Sequence, residues 1–429
     1  MPFLFHAKNV ASVKKKPNII FIMVDTLRAD HLRCYGYSRN TSPNIDQFAK
    51  EGMRFERAIA QAPWTSASVS SFMSSRYLRI RYKYGPQGIP DDVVLLPQAL
   101  RDNGYTTAAS ISNPLAGRMA GLDRGYDLFY QANEDISNYS KRSEGVLSSA
   151  AKQLDKIGNG RFFLFVLFMD PHGPYMWREN HQFDPEYKGK LGKQPFLADG
   201  SMSAEDHRYV VSLYDSGIAA ADDYVGELIG YLKKKKLYDD TLIVFLSDHG
   251  EELNEHDVWG HGLHLYDESI SVPFIVKMPE QKQGQVVKGT FSLIDLFPSV
   301  MDYIGCDVKS YGLQGTSVPF SGLKHMRETE IYSSTLFKDV NSESLRSSTR
   351  KYIKEIDRGN LEQYFDLSND PLEMHNLALR CRPSDILQQR RSMSQKDEAI
   401  DAALASAVST SHRLSSKDTT ALRSLGYLQ

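Results

Sequence analysis

Three short apolar runs in this chain end in residues able to bind metal or move protons. Residues 18–24 lead into Asp25-Thr26, residues 241–247 into Asp248-His249-Gly250-Glu251, and residues 162–169 into Asp170-Pro171-His172. An Asp after a strand is often only a helix cap. Three such endings acquire a joint meaning if the strands are parallel neighbours, because ligands of an open parallel sheet bind at the carboxyl edge of its strands. Asp25, Asp248 and His249 together offer two carboxylates and an imidazole. That donor set suits Mn²⁺ or Zn²⁺, and Ca²⁺ or Mg²⁺ with less comfort. Apposed carboxylates repel unless a cation lies between them, so the pattern predicts a bound divalent ion.

A second cluster is Ala62-Pro63-Trp64-Thr65-Ser66-Ala67-Ser68, where a loop with Pro and Trp runs into a helix of small residues starting near Ser66. Thr65 is then placed at a helix N-terminus, where backbone N–H groups favour an anion or alkoxide. Taken alone, Thr65 or Ser66 would be no more than the N-cap. Residues 255–264 hold His256, His261 and His264; His261 is a candidate proton carrier, while His256 and His264 suit hydrogen-bonding roles. The stretch Arg76-Tyr77-Leu78-Arg79-Ile80-Arg81-Tyr82-Lys83 reads as a solvated edge with snorkelling stems.

The elements that must position these groups follow from the apolar pattern. Residues 18–24, 162–169, 241–247 and 272–277 are strand-length and nearly continuous in Ile, Val, Phe and Leu. Such runs suit strands covered on both faces, as in a parallel sheet flanked by helices. Ser42-Pro43 reads as N-cap and first turn of a helix stopping at Gly52, and residues 203–236 as a long helix. The fold expected is a doubly wound α/β domain with a mostly parallel sheet over residues 16–320. Residues 321–380 read as a small C-terminal α+β subdomain, with short antiparallel strands near 328–336, 349–357 and 362–367. Residues 381–429 are polar and read as a mostly helical surface tail.

Composition bounds the function. The 429 residues carry a formal net charge of −2, which gives no reason to expect nucleic-acid binding. The short lysine runs 14–16 and 233–236 read as solvated. Cys34, Cys306 and Cys381 are far apart and odd in number, so free and mostly buried thiols are expected rather than a metal site or disulfide framework. No stretch is apolar and long enough to span a bilayer, and residues 1–13 lack a convincing signal-peptide core. Stable membrane insertion is therefore not expected, and the location expected is cytoplasmic unless the chain is a processed or truncated secreted form.

The ordered motifs resemble the sulfatase family of the alkaline-phosphatase superfamily. The resemblance is carried by residues 16–32, Cys34-Tyr35-Gly36-Tyr37, Ser42-Pro43-Asn44-Ile45-Asp46, 62–75, His172-Gly173-Pro174-Tyr175 and Ser247-Asp248-His249-Gly250. It continues through Leu265-Tyr266-Asp267-Glu268, residues 366–371 and the terminal Leu425-Gly426-Tyr427. The resemblance implies an alkaline-phosphatase-like fold and ester hydrolysis. It also implies Thr65 as nucleophile and metal ligand beside Asp25, Asp248 and His249, with His172 and His261 contacting the transferred group or protonating the leaving oxygen. Bimetallic relatives add one Asp and two His; Asp170, His172 and His261 could supply them, although their spacing departs from that pattern.

The departures redirect the chemistry. Sulfatases oxidise a Cys or Ser in a C/S-x-P-x-R motif to formylglycine; here that stretch is Thr65-Ser66-Ala67-Ser68-Val69, and Thr cannot make formylglycine. A family Lys-x-His motif has no counterpart near 111–117. The chain thus looks similar to the branch of phosphodiesterases and phosphonate monoester hydrolases that uses a Thr nucleophile. The substrate expected is a small-molecule, glycan or lipid-headgroup phosphate ester. Sulfate-ester hydrolysis, phospho-group transfer and a silent binding protein of the same fold are the alternatives.

Overall fold

Alternate residues of the run 18–24 pack into two different cores, which is why it has no polar face. The computed structural model describes residues 16–83, 85–132, 139–193, 202–404, 419–420, 422–423 and 427. The first half comprises β1 (Asn18–Val24), α1 (Pro43–Ala49), β2 (Met53–Ile59), α2 (Thr65–Ser74), α3 (Leu96–Asp102), β3 (Thr106–Ile111), β4 (Leu128–Gln131), α4 (Tyr139–Ile157) and β5 (Phe162–Phe168). The chain continues through α5 (Ala204–Lys234), β6 (Thr241–Leu246), β7 (Glu252–Leu253), β8 (Trp259–Gly260), α6 (Asp267–Ile270), β9 (Ser271–Val272), β10 (Phe274–Lys277), β11 (Gln285–Ser292) and α7 (Leu296–Tyr303). It closes with β12 (Ile331–Phe337), β13 (Val340–Arg346), β14 (Arg350–Glu355), β15 (Leu361–Asp366) and α8 (Pro383–Leu404).

The main sheet has nine strands in the order β11-β2-β10-β6-β1-β5-β3-β4, with β9 paired to β2. It is mostly parallel, and β10 runs antiparallel to both its neighbours. On one face Ile19, Phe21 and Met23 of β1 join Phe163, Phe165 and Leu167 of β5 under α2, α3 and α7. On the other face Ile20, Ile22 and Val24 join Leu164, Val166 and Phe168 under α1, α4 and α5. The architecture is the α/β sheet flanked by helices that the apolar runs imply. The strands that the pattern did not single out are β2, β3, β4 and β11. β2 carries Arg54, Glu56 and Arg57 at its half-open positions, and β3 is built of Thr, Ala and Ser, so neither shows a long apolar run.

A separate four-stranded antiparallel meander follows, in the order β12-β13-β14-β15. Its strand β13, VNSESLR, is mostly polar and shows no apolar run, and it is held by pairing on both edges. Ile331, Phe337, Ile353 and Phe365 of this sheet enter the main core. Its other face, with Tyr332, Leu345, Tyr352 and Tyr364, is covered by Ile386, Met393 and Ile400 of α8. Among the described residues no helix is long and apolar enough to cross a membrane.

Three expectations are corrected. Residues 76–83 are not a solvated edge: Tyr77, Leu78, Ile80 and Tyr82 are buried, and Arg79 pairs with Asp397 and Asp401 of α8. The tail is not surface throughout, because Leu422 and Tyr427 are buried. The three free cysteines are half-buried rather than buried.

A buried charge cluster joins the two sheets. Lys351 of β14 is fully buried and donates to Asp267 Oδ1 at 2.9 Å and lies 2.9 Å from Glu373 Oε1, while Arg346 of β13 donates to both Asp267 oxygens. Removing one partner of such a cluster strands the others, at a cost of about 3–5 kcal/mol. Lys351→Met is therefore expected to lower the unfolding free energy by about that amount in a denaturant titration, whereas a loss below about 1 kcal/mol would mark the cluster as effectively solvated.

Candidate active site

β6, β1, β5 and β3 are adjacent and parallel, so their carboxyl ends lie side by side. They deliver Asp248 and His249, Asp25, His172 and Asn113 to one edge of the sheet. The helix α2 points its N-terminus at this edge. Its cap position is Trp64, in extended conformation and without a side-chain oxygen, so neither Thr65 nor Ser66 is spent as the cap. Thr65 is the first helical residue, and the first amides of a helix have no acceptor within it. All ten residues of α2 are buried, which explains its run of Ser, Ala and Thr: larger side chains would not fit on every face. Ser68 Oγ donates to the Asp248 carbonyl at 2.6 Å and ties the helix to the end of β6.

Asp25, Asp248 and His249 are fully buried, and their ligand atoms lie within 4.8 Å of one another. His249 Nδ1 faces the Gly250 carbonyl at 2.8 Å, so this nitrogen carries the proton and Nε2 presents a lone pair. That lone pair lies 3.5 Å from Asp25 Oδ1 and 3.5 Å from Asp248 Oδ2. Neither carboxylate oxygen has a hydrogen-bond donor. Three electron-rich atoms thus converge in a buried space, an arrangement that fits a divalent cation and is costly without one. Burial, and then the charge of Asp248, raise the Asp25 carboxyl, and burial pushes Asp248 up to about 7. Burial, and then the proximity of His261, lower His249 to about 3.

The Thr65 hydroxyl lies within this group. It is 3.3 Å from His249 Nε2 and accepts from Asn113 Nδ2 at 3.2 Å. Asn113 also donates to Asp25 Oδ2 at 2.5 Å. Sequence reasoning missed Asn113, although its signal was available: Ile111-Ser112-Asn113 is another strand ending at the same edge. Gly250 is required by close approach, because a Cβ there would come within 1.9 Å of the Glu268 carbonyl oxygen.

His172 and His261 approach the group from the next layer, with ring centroids 4.9 Å apart, and His261 lies 4.5 Å from the His249 ring. His261 Nδ1 is 3.0 Å from Glu251 Oε1, and its Nε2 is 2.7 Å from the Tyr427 hydroxyl. Burial, and then His172, lower His261 to about 3, while burial raises Glu251 to about 7. Glu251 and Tyr427 were also missed as site residues. Glu251 follows the Asp-His-Gly turn directly, and Tyr427 stands in the Leu425-Gly426-Tyr427 motif, whose approach to the site the sequence does not give.

Other candidates turn away. Asp170 accepts from Ser143 at 2.5 Å and pairs with Arg178 at 3.4 Å, so it does not join His172 and His261 as a second ligand set. Among the described residues, Asp25, Asp248 and His249 form the one group with converging ligand atoms. His256 pairs with Glu268 at 2.5 Å and His264 with Glu252 at 2.8 Å, which gives both a hydrogen-bonding role.

Known proteins share this arrangement of sequence and fold. The family described as Sulfatase matches residues 17–306, and that described as N-sulphoglucosamine sulphohydrolase, C-terminal, matches residues 254–397. An arylsulfatase of Clostridium perfringens is 22% identical, covering 84% of this chain and 90% of its own length. A choline-sulfatase of Rhizobium meliloti is 24% identical over 91% of this chain and 89% of its own. The crystal structure of a phosphonate monoester hydrolase of Agrobacterium radiobacter superposes with a TM-score of 0.72 at 20% identity, covering 93% of this chain and all of the other.

Mn²⁺ or Zn²⁺ added to metal-stripped protein is expected to raise its melting temperature, because a ligand bound only to the folded state stabilises it. Asp248→Asn should remove most of that rise. Protons compete for Asp248, which titrates near 7 in the metal-free fold, so the rise should be smaller at acid pH than at alkaline pH. Absence of any rise with either ion would remove the cation from this site.

Proposed function

This chain belongs to the sulfatase family of ester hydrolases, and from that premise we propose that it cleaves phosphate esters through attack by Thr65. The observation that carries the reading is the residue at the helix N-terminus. Thr65 cannot be oxidised to formylglycine, and the hydroxyl of an unmodified Thr is itself a nucleophile once a base or a cation takes its proton. Its surroundings support that use: the His249 Nε2 lone pair lies 3.3 Å from the Thr65 hydroxyl, Asn113 donates to its oxygen, and the free amides of α2 face the same space.

Asp25, Asp248 and His249 would hold one divalent cation, Mn²⁺, Zn²⁺ or Ca²⁺, with Thr65 as a further ligand. When bound, such an ion acidifies a neighbouring hydroxyl and offsets charge on the group being transferred. Thr65 Oγ attacks phosphorus in line; the new O–P bond forms as the bond to the leaving oxygen breaks. The leaving oxygen takes a proton from His172. Water then attacks the phospho-Thr65 ester, releases phosphate or its monoester, and returns the hydroxyl to Thr65. The α2 amides and Asn113 stabilise the charge that develops beside Thr65. Suitable substrates are small-molecule, glycan or lipid-headgroup esters of phosphate or phosphonate.

Sulfate-ester hydrolysis is the second reading, favoured by relatives named as arylsulfatase and choline-sulfatase. Parallel rates on 4-nitrophenyl sulfate and an aryl phosphate diester order the two: the phosphate ester is expected to react faster, and a faster sulfate ester reverses the assignment. Thr65→Ala is expected to lower kcat on the preferred ester by at least about 1,000-fold, in line with removal of other nucleophiles. Turnover that survives this substitution would show that Thr65 is not the attacking group.

A further inference from the structure

The end of the chain supplies a side chain to the site. Tyr427 lies in the last few residues, yet it is buried at 4% exposure, and its ring packs against Tyr82 and Phe337 at centroid distances of 5.6 and 5.9 Å. Its backbone is seated as well. The amide donates to the Leu422 carbonyl at 2.9 Å, and Tyr82 Oη donates to the Tyr427 carbonyl at 3.2 Å. Leu422 is itself fully buried in the main core. Trp64, the residue before Thr65, packs against both Tyr82 and Phe337, so the socket for Tyr427 adjoins the start of α2.

The Tyr427 hydroxyl enters the site. It is 2.7 Å from His261 Nε2 and 3.5 Å from His172 Nε2, and it stands beside Thr65. Because His261 Nδ1 faces Glu251, Nε2 is free to accept the phenol proton. In an in-line displacement the leaving oxygen stands opposite the attacking atom, and the three remaining oxygens lie in the plane between. A donor that stands beside the attacking residue is on the near side of that plane. It can reach an equatorial oxygen but not the departing one.

We propose that Tyr427 is a catalytic residue that donates its phenol proton in a hydrogen bond to an equatorial oxygen of the group transferred to Thr65. The hydroxyl proton turns about the C–O bond from His261 to the anionic oxygen, a stronger acceptor, and no bond to hydrogen breaks. This assignment rests on Thr65 being the nucleophile. It holds for phosphoryl and sulfuryl groups alike, since both present equatorial oxygens.

The test uses the full-length chain and two probes, the phenyl and 4-nitrophenyl esters of whichever class the parent turns over. Tyr427→Phe keeps the ring and removes the donor. It is expected to lower kcat by about 100-fold, the scale of losing one oxyanion donor, with little change in KM and an unchanged melting temperature. The factor should be the same for both esters, because an equatorial contact does not depend on the leaving group. Should the Phe variant melt early, Tyr82→Phe removes only the bond to the Tyr427 carbonyl, and a smaller loss of kcat, again equal for both esters, is expected. Parent-level kcat in both variants, a gain in rate, or a loss that grows with the poorer leaving group would each overturn the role. Activity retained by Thr65→Ala would take down the nucleophile assignment and this one together. A silent Thr65→Ala beside a full-rate Tyr427→Phe would take down this one alone.

Discussion

Asp25 and Asp248 stand side by side without access to water, and each leaves one oxygen with no hydrogen-bond donor. Like charges in a buried space raise each other's energy, and a neutral imidazole aimed between them adds a third lone pair instead of relief. A small cation is the chemical answer to such a set, and Asn113 is the neutral donor that steadies Asp25 from outside it. The position of every other group in the site is measured from this point. Thr65 is set by its contacts to His249 and Asn113, and His261 by the tilted packing of its ring against His249.

Holding that arrangement is the work of the sheet. β1 and β6 are hydrogen-bonded neighbours in parallel register, so the residues after Val24 and Leu246 must emerge together. Their burial on both faces excludes the water that would otherwise weaken the repulsion and the pull on a cation alike. α2 is drawn close by small residues and by the Ser68 bond to the Asp248 carbonyl, and Gly250 lets the turn after β6 pass against Glu268. Charge, packing and backbone room therefore serve one geometry.

The C-terminal meander is part of the same construction. Asp267, at the start of α6 just beyond the histidine loop, is bound by Arg346 and Lys351 of the second sheet. Phe337, from the end of β12, reaches across to Trp64 and Tyr82 and forms the socket that receives Tyr427. The segment that looks like an appendage in the sequence thus frames the wall of the site opposite the strand ends.

Much of this was legible residue by residue. The apolar runs identified β1, β5 and β6, and their endings identified Asp25, Asp248, His249 and His172, because a strand buried on both faces must be apolar throughout and must stop where polarity begins. The loop before α2 drew attention to Thr65 in the same way, and the ordered motifs identified the family. Those signals are local, and the sequence by itself determined them. Tertiary structure alone decided which polar residues meet: Asn113 from a strand of Thr, Ala and Ser, the pairing of Asp170 with Arg178 away from the site, the pairing of Arg79 with Asp397 of α8, and the return of Tyr427 to the site across 362 positions of chain from Thr65. Each of those depends on contacts between segments remote in sequence, where the energy lies in packing and desolvation of the pair, and neither partner carries a mark of the other.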